Sequence, residues 1–104
     1  MNKLIAIINN ISVVDNKSCL LKTTINKYYL IEVQESDHVL VNNVGESLQW
    51  YLKKSELLLW GTDDLQIFSI RCFYLGKEKI IFNSSTFKIK EISSGKALTL
   101  LLKE

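Results

Sequence analysis

The chain has no proline, a single histidine, two cysteines and four glycines, and these scarcities exclude several kinds of chemistry. Gly45, Gly61, Gly76 and Gly95 are scattered, so there is no glycine-rich loop to cradle a phosphate. His38 has no second histidine to join it, and Cys19 and Cys72 are not spaced as a pair, so a zinc site lacks ligands. Neither cysteine has a neighbouring His or basic cluster that would lower its pKa. Gly45-Glu46-Ser47-Leu48-Gln49 is not a nucleophile elbow, and Ser84–Ser85 and Ser93–Ser94 read as turn residues. No catalytic residue, metal or cofactor is expected. The longest apolar runs, such as Leu57–Trp60 and Leu100–Leu102, are far too short to span a bilayer. Only Lys3 precedes the apolar Leu4–Ile8, and no small-residue cleavage site follows, so no signal peptide is expected and a cytoplasmic location is. In that compartment both cysteines would be reduced.

Arginine is almost missing too. Arg71 is the one arginine among 13 basic residues, and Ile and Asn are plentiful. That composition is what an AT-rich gene encodes, a style frequent in bacteria, phages and mobile elements. Net charge is +2 and the isoelectric point about 8.5. That balance selects no partner by itself.

At 104 residues with 47% hydrophobic content, residues 1–104 are expected to form one domain with a core of its own. The central feature is Asn43–Gly61, NVGESLQWYLKKSELLLWG. From Gly45 to Trp60 there is no Val, Ile or Thr, and Leu, Lys, Glu and Gln are good helix formers. Asn43 with Glu46 makes a capping box, and Gly61 fits the left-handed position past a helix end. Val44, Leu48, Tyr51, Leu52, Leu58 and Leu59 fall on one helical stripe. The spacing predicts a helix over 44–60 packed across a sheet. An alternative remains. Leu48, Trp50 and Leu52 also alternate with Gln49, Tyr51 and Lys53, which suits a strand. The resulting layout resembles small all-β SH3-like barrels.

The rest reads as strands. Before the helix, Lys3–Ile8 and Ile11–Asp15 flank a turn at Asn9–Asn10, and Cys19–Ile25 and Lys27–Gln34 flank Asn26. His38–Asn42 then leads into the helix. After it, Leu65–Leu75, Lys77–Asn83, Thr86–Ile92 and Ala97–Lys103 form a four-stranded meander, with turns at Gly76–Lys77, Ser84–Ser85 and Ser93–Lys96. These turns pair Phe73 with Ile80, Phe82 with Phe87 and Ile89 with Leu100 on one face. The fold class is α+β, a mainly antiparallel sheet with one central helix.

His38 beside Asp37, and the carboxylates Asp63–Asp64, Glu32 and Glu35, invite acid–base or Mg²⁺ readings, but solvated turn residues explain them as well. More informative is a sheet face with Tyr74, Lys79, Lys88 and Lys90, where Cys72, Ile81 and Leu101 are partly uncovered. Lysines interleaved with an aromatic suit a nucleic-acid backbone, although Glu78 and Glu91 lie nearby. On the expected helix Trp50 and Trp60 lie off the main stripe, and an exposed tryptophan anchors a protein partner. The leading expectation is a small non-enzymatic protein-binding module of inhibitor or immunity type. Its partner would be a protein not identified by the sequence, docking on Trp50, Trp60, Tyr74, Lys79, Lys88 and Lys90. Nucleic-acid binding through the lysine/aromatic face is the alternative. A homodimer through the mixed face is a related possibility, and no membrane partner is expected.

Overall fold

A computed structural model describes residues 3–14, 18–33, 38–62, 68–83 and 87–102. Seven strands and two helices follow one another as β1 (Lys3–Val13), β2 (Ser18–Thr23), β3 (Tyr28–Val33), α1 (His38–Lys54), β4 (Leu57–Gly61), β5 (Phe68–Tyr74), β6 (Lys77–Asn83), β7 (Phe87–Ile92) and α2 (Ser94–Leu102). The strands make one antiparallel sheet in the order β6-β5-β4-β1-β2-β3-β7. The fold is α+β, mostly sheet.

Two edge strands that are neighbours in the chain impose a strong curl. Three residues separate Asn83 from Phe87, a link that spans at most about 14 Å. A flat sheet would hold its outer strands about 29 Å apart, six spacings of ~4.8 Å. The short link makes β7 set out close to where β6 stops. Ile81 from one edge and Ile89 from the other pack on a single cluster. No ladder joins the two edges, and the sheet is not closed into a barrel, so the SH3-like layout does not hold.

The larger core cluster fills the concave side. Ile8, Ile11, Leu21, Tyr29, Ile31, Leu57, Leu59 and Ile70 come from the sheet and Leu48 from α1. On the other side α2 lays Ala97 and Leu100 on Leu20, Leu30 and Ile92. Alternation explains the split, since Cys19 and Leu21 face α1 while Leu20 between them faces α2. α1 crosses close to the sheet at Gly45, where a Cβ would come within 2.7 Å of Val13 Cγ2.

Several expectations need correction. The helix spans His38–Lys54 rather than 44–60. Its last bond runs from the Ser55 amide to the Tyr51 carbonyl, and the leucine run beyond is a central strand paired to both β1 and β5. Ladder bonds on both sides and full burial of Leu57 and Leu59 outweigh the helical preference of leucine. Gly61 ends that strand and caps no helix. His38–Asn42 is helical backbone, not a strand. Asn9–Asn10 is not a hairpin turn but an irregularity inside the eleven-residue β1, where pairing with β2 shifts between Ile8 and Asn10. That bulge lets Ile8 and Ile11 both point into the core.

The meander breaks twice. Residues 84–86 lie outside the described ones, but β6 and β7 do not pair, and β7 pairs with β3. Phe82 and Phe87 are therefore not partners, and Ser-Ser lacks the left-handed preference of a two-residue hairpin turn. The last expected strand is helix α2. The Lys96 amide donates to Ser93 Oγ and the Ala97 amide to the Ser93 carbonyl, which makes Ser93 an N-cap. Ile89 thus has no strand partner in Leu100. The β5–β6 hairpin exists, but its turn is Leu75–Gly76, with φ of 54° and 78°. It pairs Phe73 with Glu78, and Arg71 with Ile80.

Candidate functional site

The last two turns of α1 carry Trp50, Tyr51, Lys53 and Lys54. Tyr51 and Leu52 lean on the main core, while Trp50 stays 45% exposed. The β5–β6 hairpin brings a third ring, Tyr74, against them. The Trp50, Tyr51 and Tyr74 rings meet edge to face, with centroids 5.0, 5.5 and 5.8 Å apart. This is the geometry that aromatic quadrupoles favour. Two ammonium groups complete the cluster. Lys54 Nζ lies 5.6 Å from the centre of the Trp50 ring, and Lys79 Nζ lies 5.5 Å from that of Tyr51. Lys79 also donates a hydrogen bond of 3.1 Å to the Tyr51 hydroxyl. That bond is the largest cause raising the Lys79 pKa, so the group is a fixed cation at neutral pH.

Local sequence explains the assembly. Trp50 and Lys54 are four apart on the helix, hence stacked neighbours. Tyr74 and Lys77 pair across the hairpin, as do Cys72 and Lys79, so Tyr74, Lys77 and Lys79 share the face turned toward α1. A cleft of about 350 Å³ adjoins the patch on the other flank of the helix, between Asn10, Ile11, Gln49, Leu52 and Lys53. Gln49 Nε2 spans it to the Ile11 carbonyl at 3.1 Å.

The structure thus brings together Trp50, Tyr74 and Lys79 among the residues singled out by sequence. It separates the others. Trp60 is on β4, not on the helix. It pairs with Leu4 and Ser69 on the sheet face away from α1. There the Arg71 guanidinium lies 4.9 Å from its ring centre, held by Glu78 at 3.2 Å and Ser69 at 3.3 Å. The Trp60 Nε1 is buried and has no hydrogen-bond partner among the described residues.

Lys88 and Lys90 are on β7, at the opposite edge from Lys79. Lys90 pairs in register with Leu30, which faces α2, and its ammonium is 3.1 Å from Glu32. The expected continuous lysine face does not form, because Lys79 lies on one face and Lys88 and Lys90 on the other. The mixed face expected for self-association changes as well. Cys72 is buried and Ile81 packs on the core, whereas Leu101 belongs to α2.

Tyr51 and Lys54 are members of the patch that did not stand out in the sequence. The i, i+4 spacing of Trp50 and Lys54 was a usable signal. Tyr51 was hidden because it also fits the core stripe. Asp37, Asp63, Asp64 and Glu35 lie outside the described residues, and of His38 only the backbone is described. Among the described residues no three His, Cys, Asp or Glu side chains cluster. Burial pushes the Cys19 thiol up to about 12 and raises that of Cys72, so both are protonated at neutral pH. No described helix is long and apolar enough to cross a membrane. No family model matches the chain, and no curated protein or solved structure matches it significantly.

Proposed function

We propose that this chain is a non-enzymatic protein-binding module whose docking surface is the patch of Trp50, Tyr51 and Tyr74 with Lys54 and Lys79. The observation that carries the reading is the exposed, pre-arranged ring cluster. Interface hot spots are rich in Trp and Tyr, and rings already locked edge to face lose little freedom on binding. The flanking cleft offers a concavity for a partner side chain. Of the other expected residues, Trp60, Lys88 and Lys90 fall outside this surface. An inhibitor or immunity protein, acting in the cytoplasm by occupying a partner's surface, is the form of module we favour. The composition and the compact fold support that choice.

Affinity capture from the native host tests the reading, with wild type compared against Trp50→Ala, both after nuclease. The expected result is one protein near equal stoichiometry with the wild type and at least tenfold less with the variant, the scale of a hot spot. The same protein retained equally by both chains removes this surface. Material that vanishes with nuclease moves the function to nucleic-acid binding.

A further inference from the structure

Three cations away from the ring cluster are neutralised at home: Lys27 by Glu91, Lys90 by Glu32 and Arg71 by Glu78. Lys22, Lys88 and Lys96, scattered over other elements, have no ion-pair partner among the described residues. The ring cluster gathers four such cations in one place. Lys53, Lys54, Lys77 and Lys79 are all exposed, and none has an ion-pair partner among the described residues. At 100° per residue Lys53 and Lys54 flank Trp50 by about 60° and 40° on either side of the helix. Lys77 and Lys79 approach from the hairpin, on the face of Tyr74. Four uncompensated positive charges thus ring one apolar floor in a chain whose net charge is only +2.

Next to that floor stands an unusual residue. Leu75 occupies the first position of the two-residue turn with φ of 54° and is 84% exposed. Asn or Gly fills this position at little cost, whereas a bulky side chain there is strained. A strained, solvent-facing leucine beside Tyr74 contributes nothing visible to this chain's own core.

We infer that the partner presents an acidic protein surface, whose carboxylates meet Lys53, Lys54, Lys77 and Lys79 around an apolar hollow that receives Leu75. The inference rests on the protein-binding reading and specifies its partner. Charge complementarity decides for protein carboxylates over a nucleic-acid backbone. A phosphate chain needs a positive track, and this patch is bounded along α1 by the exposed Glu46, one turn before Trp50, and by Glu56 just past the helix end. The one arginine, the better phosphate fork, is on the other face of the sheet with Trp60. Opposed charge on two docking surfaces chiefly accelerates encounter and rejects wrong partners, while the rings and Leu75 supply the holding contacts.

Peptide display on the purified full chain tests this without knowing the partner. Selected peptides are titrated against wild type, Trp50→Ala and the double variant Lys54→Glu/Lys79→Glu, with circular dichroism confirming that each variant is folded. The expected peptides are rich in Asp and Glu, associate at least tenfold more slowly at about 500 than at about 50 mM salt while dissociating at a similar rate, and weaken at least tenfold on charge reversal. Peptides that need Trp50 but carry no acidic excess, or bind the charge-reversed variant equally, overturn the acidic partner and leave the docking surface standing. A selection that gives no Trp50-dependent peptide overturns both. In the same assay a dT20 oligonucleotide that saturates the wild type and fails on the charge-reversed variant overturns the inference in favour of nucleic acid.

Discussion

Lys79 reaches from the sheet edge to Tyr51 of the helix, donating to its hydroxyl at 3.1 Å while lying over its ring at 5.5 Å. One lysine thereby ties β6 to the end of α1 beside the Trp50, Tyr51 and Tyr74 rings. Tyr51→Phe keeps the ring and removes the acceptor. Because the hydrogen bond is exposed, the urea midpoint should change little. Partner affinity should fall more than stability does, since Lys79 loses its anchor.

At Gly45 the helix passes close to the sheet. Gly45→Ala gains up to about 1 kcal/mol of helix propensity, but its methyl must displace the stiff Val13 side chain. Overpacking of this kind costs about 1–3 kcal/mol. The expected outcome is net destabilisation, measured by urea unfolding. Val13→Ala in the same chain should relieve part of it, and a double-mutant cycle reads the coupling.

Leu75 should separate stability from function. Replacing it by Asn relieves a left-handed conformation that costs about 1–2 kcal/mol for an ordinary residue. The variant should melt several degrees higher in a thermal scan, and bind its partner more weakly. A lower melting point would show that Leu75 serves the fold.

Ser93 caps α2, and Ser93→Ala should cost about 1 kcal/mol in chemical unfolding. The loss falls on the side of the sheet away from the ring cluster, so partner affinity should stay unchanged.

Cys19 makes a pH prediction with a definite sign. Its ordinary thiol pKa is 9.0 and burial raises it to about 12. Between these values the unfolded chain has released the proton and the folded one has kept it. Folding stability is therefore intact below pH 9.0 and lost progressively as pH rises toward about 12. Urea midpoints measured across that window should fall less steeply for Cys19→Ala than for the wild type.

The sequence disclosed some of this fold and withheld the rest for physical reasons. Alternation in Tyr28–Val33 and Lys77–Asn83 reflects strands that use both faces, and it was readable. The helix was readable from Gly45 to Lys54, where β-branched residues are absent. Its start was masked by Val39 and Val41, whose alternation imitates a strand. Its end was masked by Leu57–Leu59, whose helical preference yields to pairing on both sides in the middle of the sheet. Pairing of β7 with β3 joins residues about sixty positions apart, and no local pattern carries that information. The site shows the same division. Trp50, Tyr74 and Lys79 stood out by residue type, but only the register of the Leu75–Gly76 turn puts them on one face. Lys88 and Lys90 looked equivalent to Lys79 until the chain passed to the opposite edge.

The most direct test of the docking surface is site-specific photo-crosslinking in the native host, with p-benzoylphenylalanine placed in turn at positions 50, 75, 4 and 80. Trp50 belongs to the ring patch and Leu75 to the turn that follows Tyr74, whereas Leu4 and Ile80 are exposed on the face shared with Trp60. One common protein adduct is expected from positions 50 and 75 and none from 4 and 80. Adducts from 4 and 80 with none from 50 and 75 would contradict this docking surface, and would place the partner on the opposite side of the sheet.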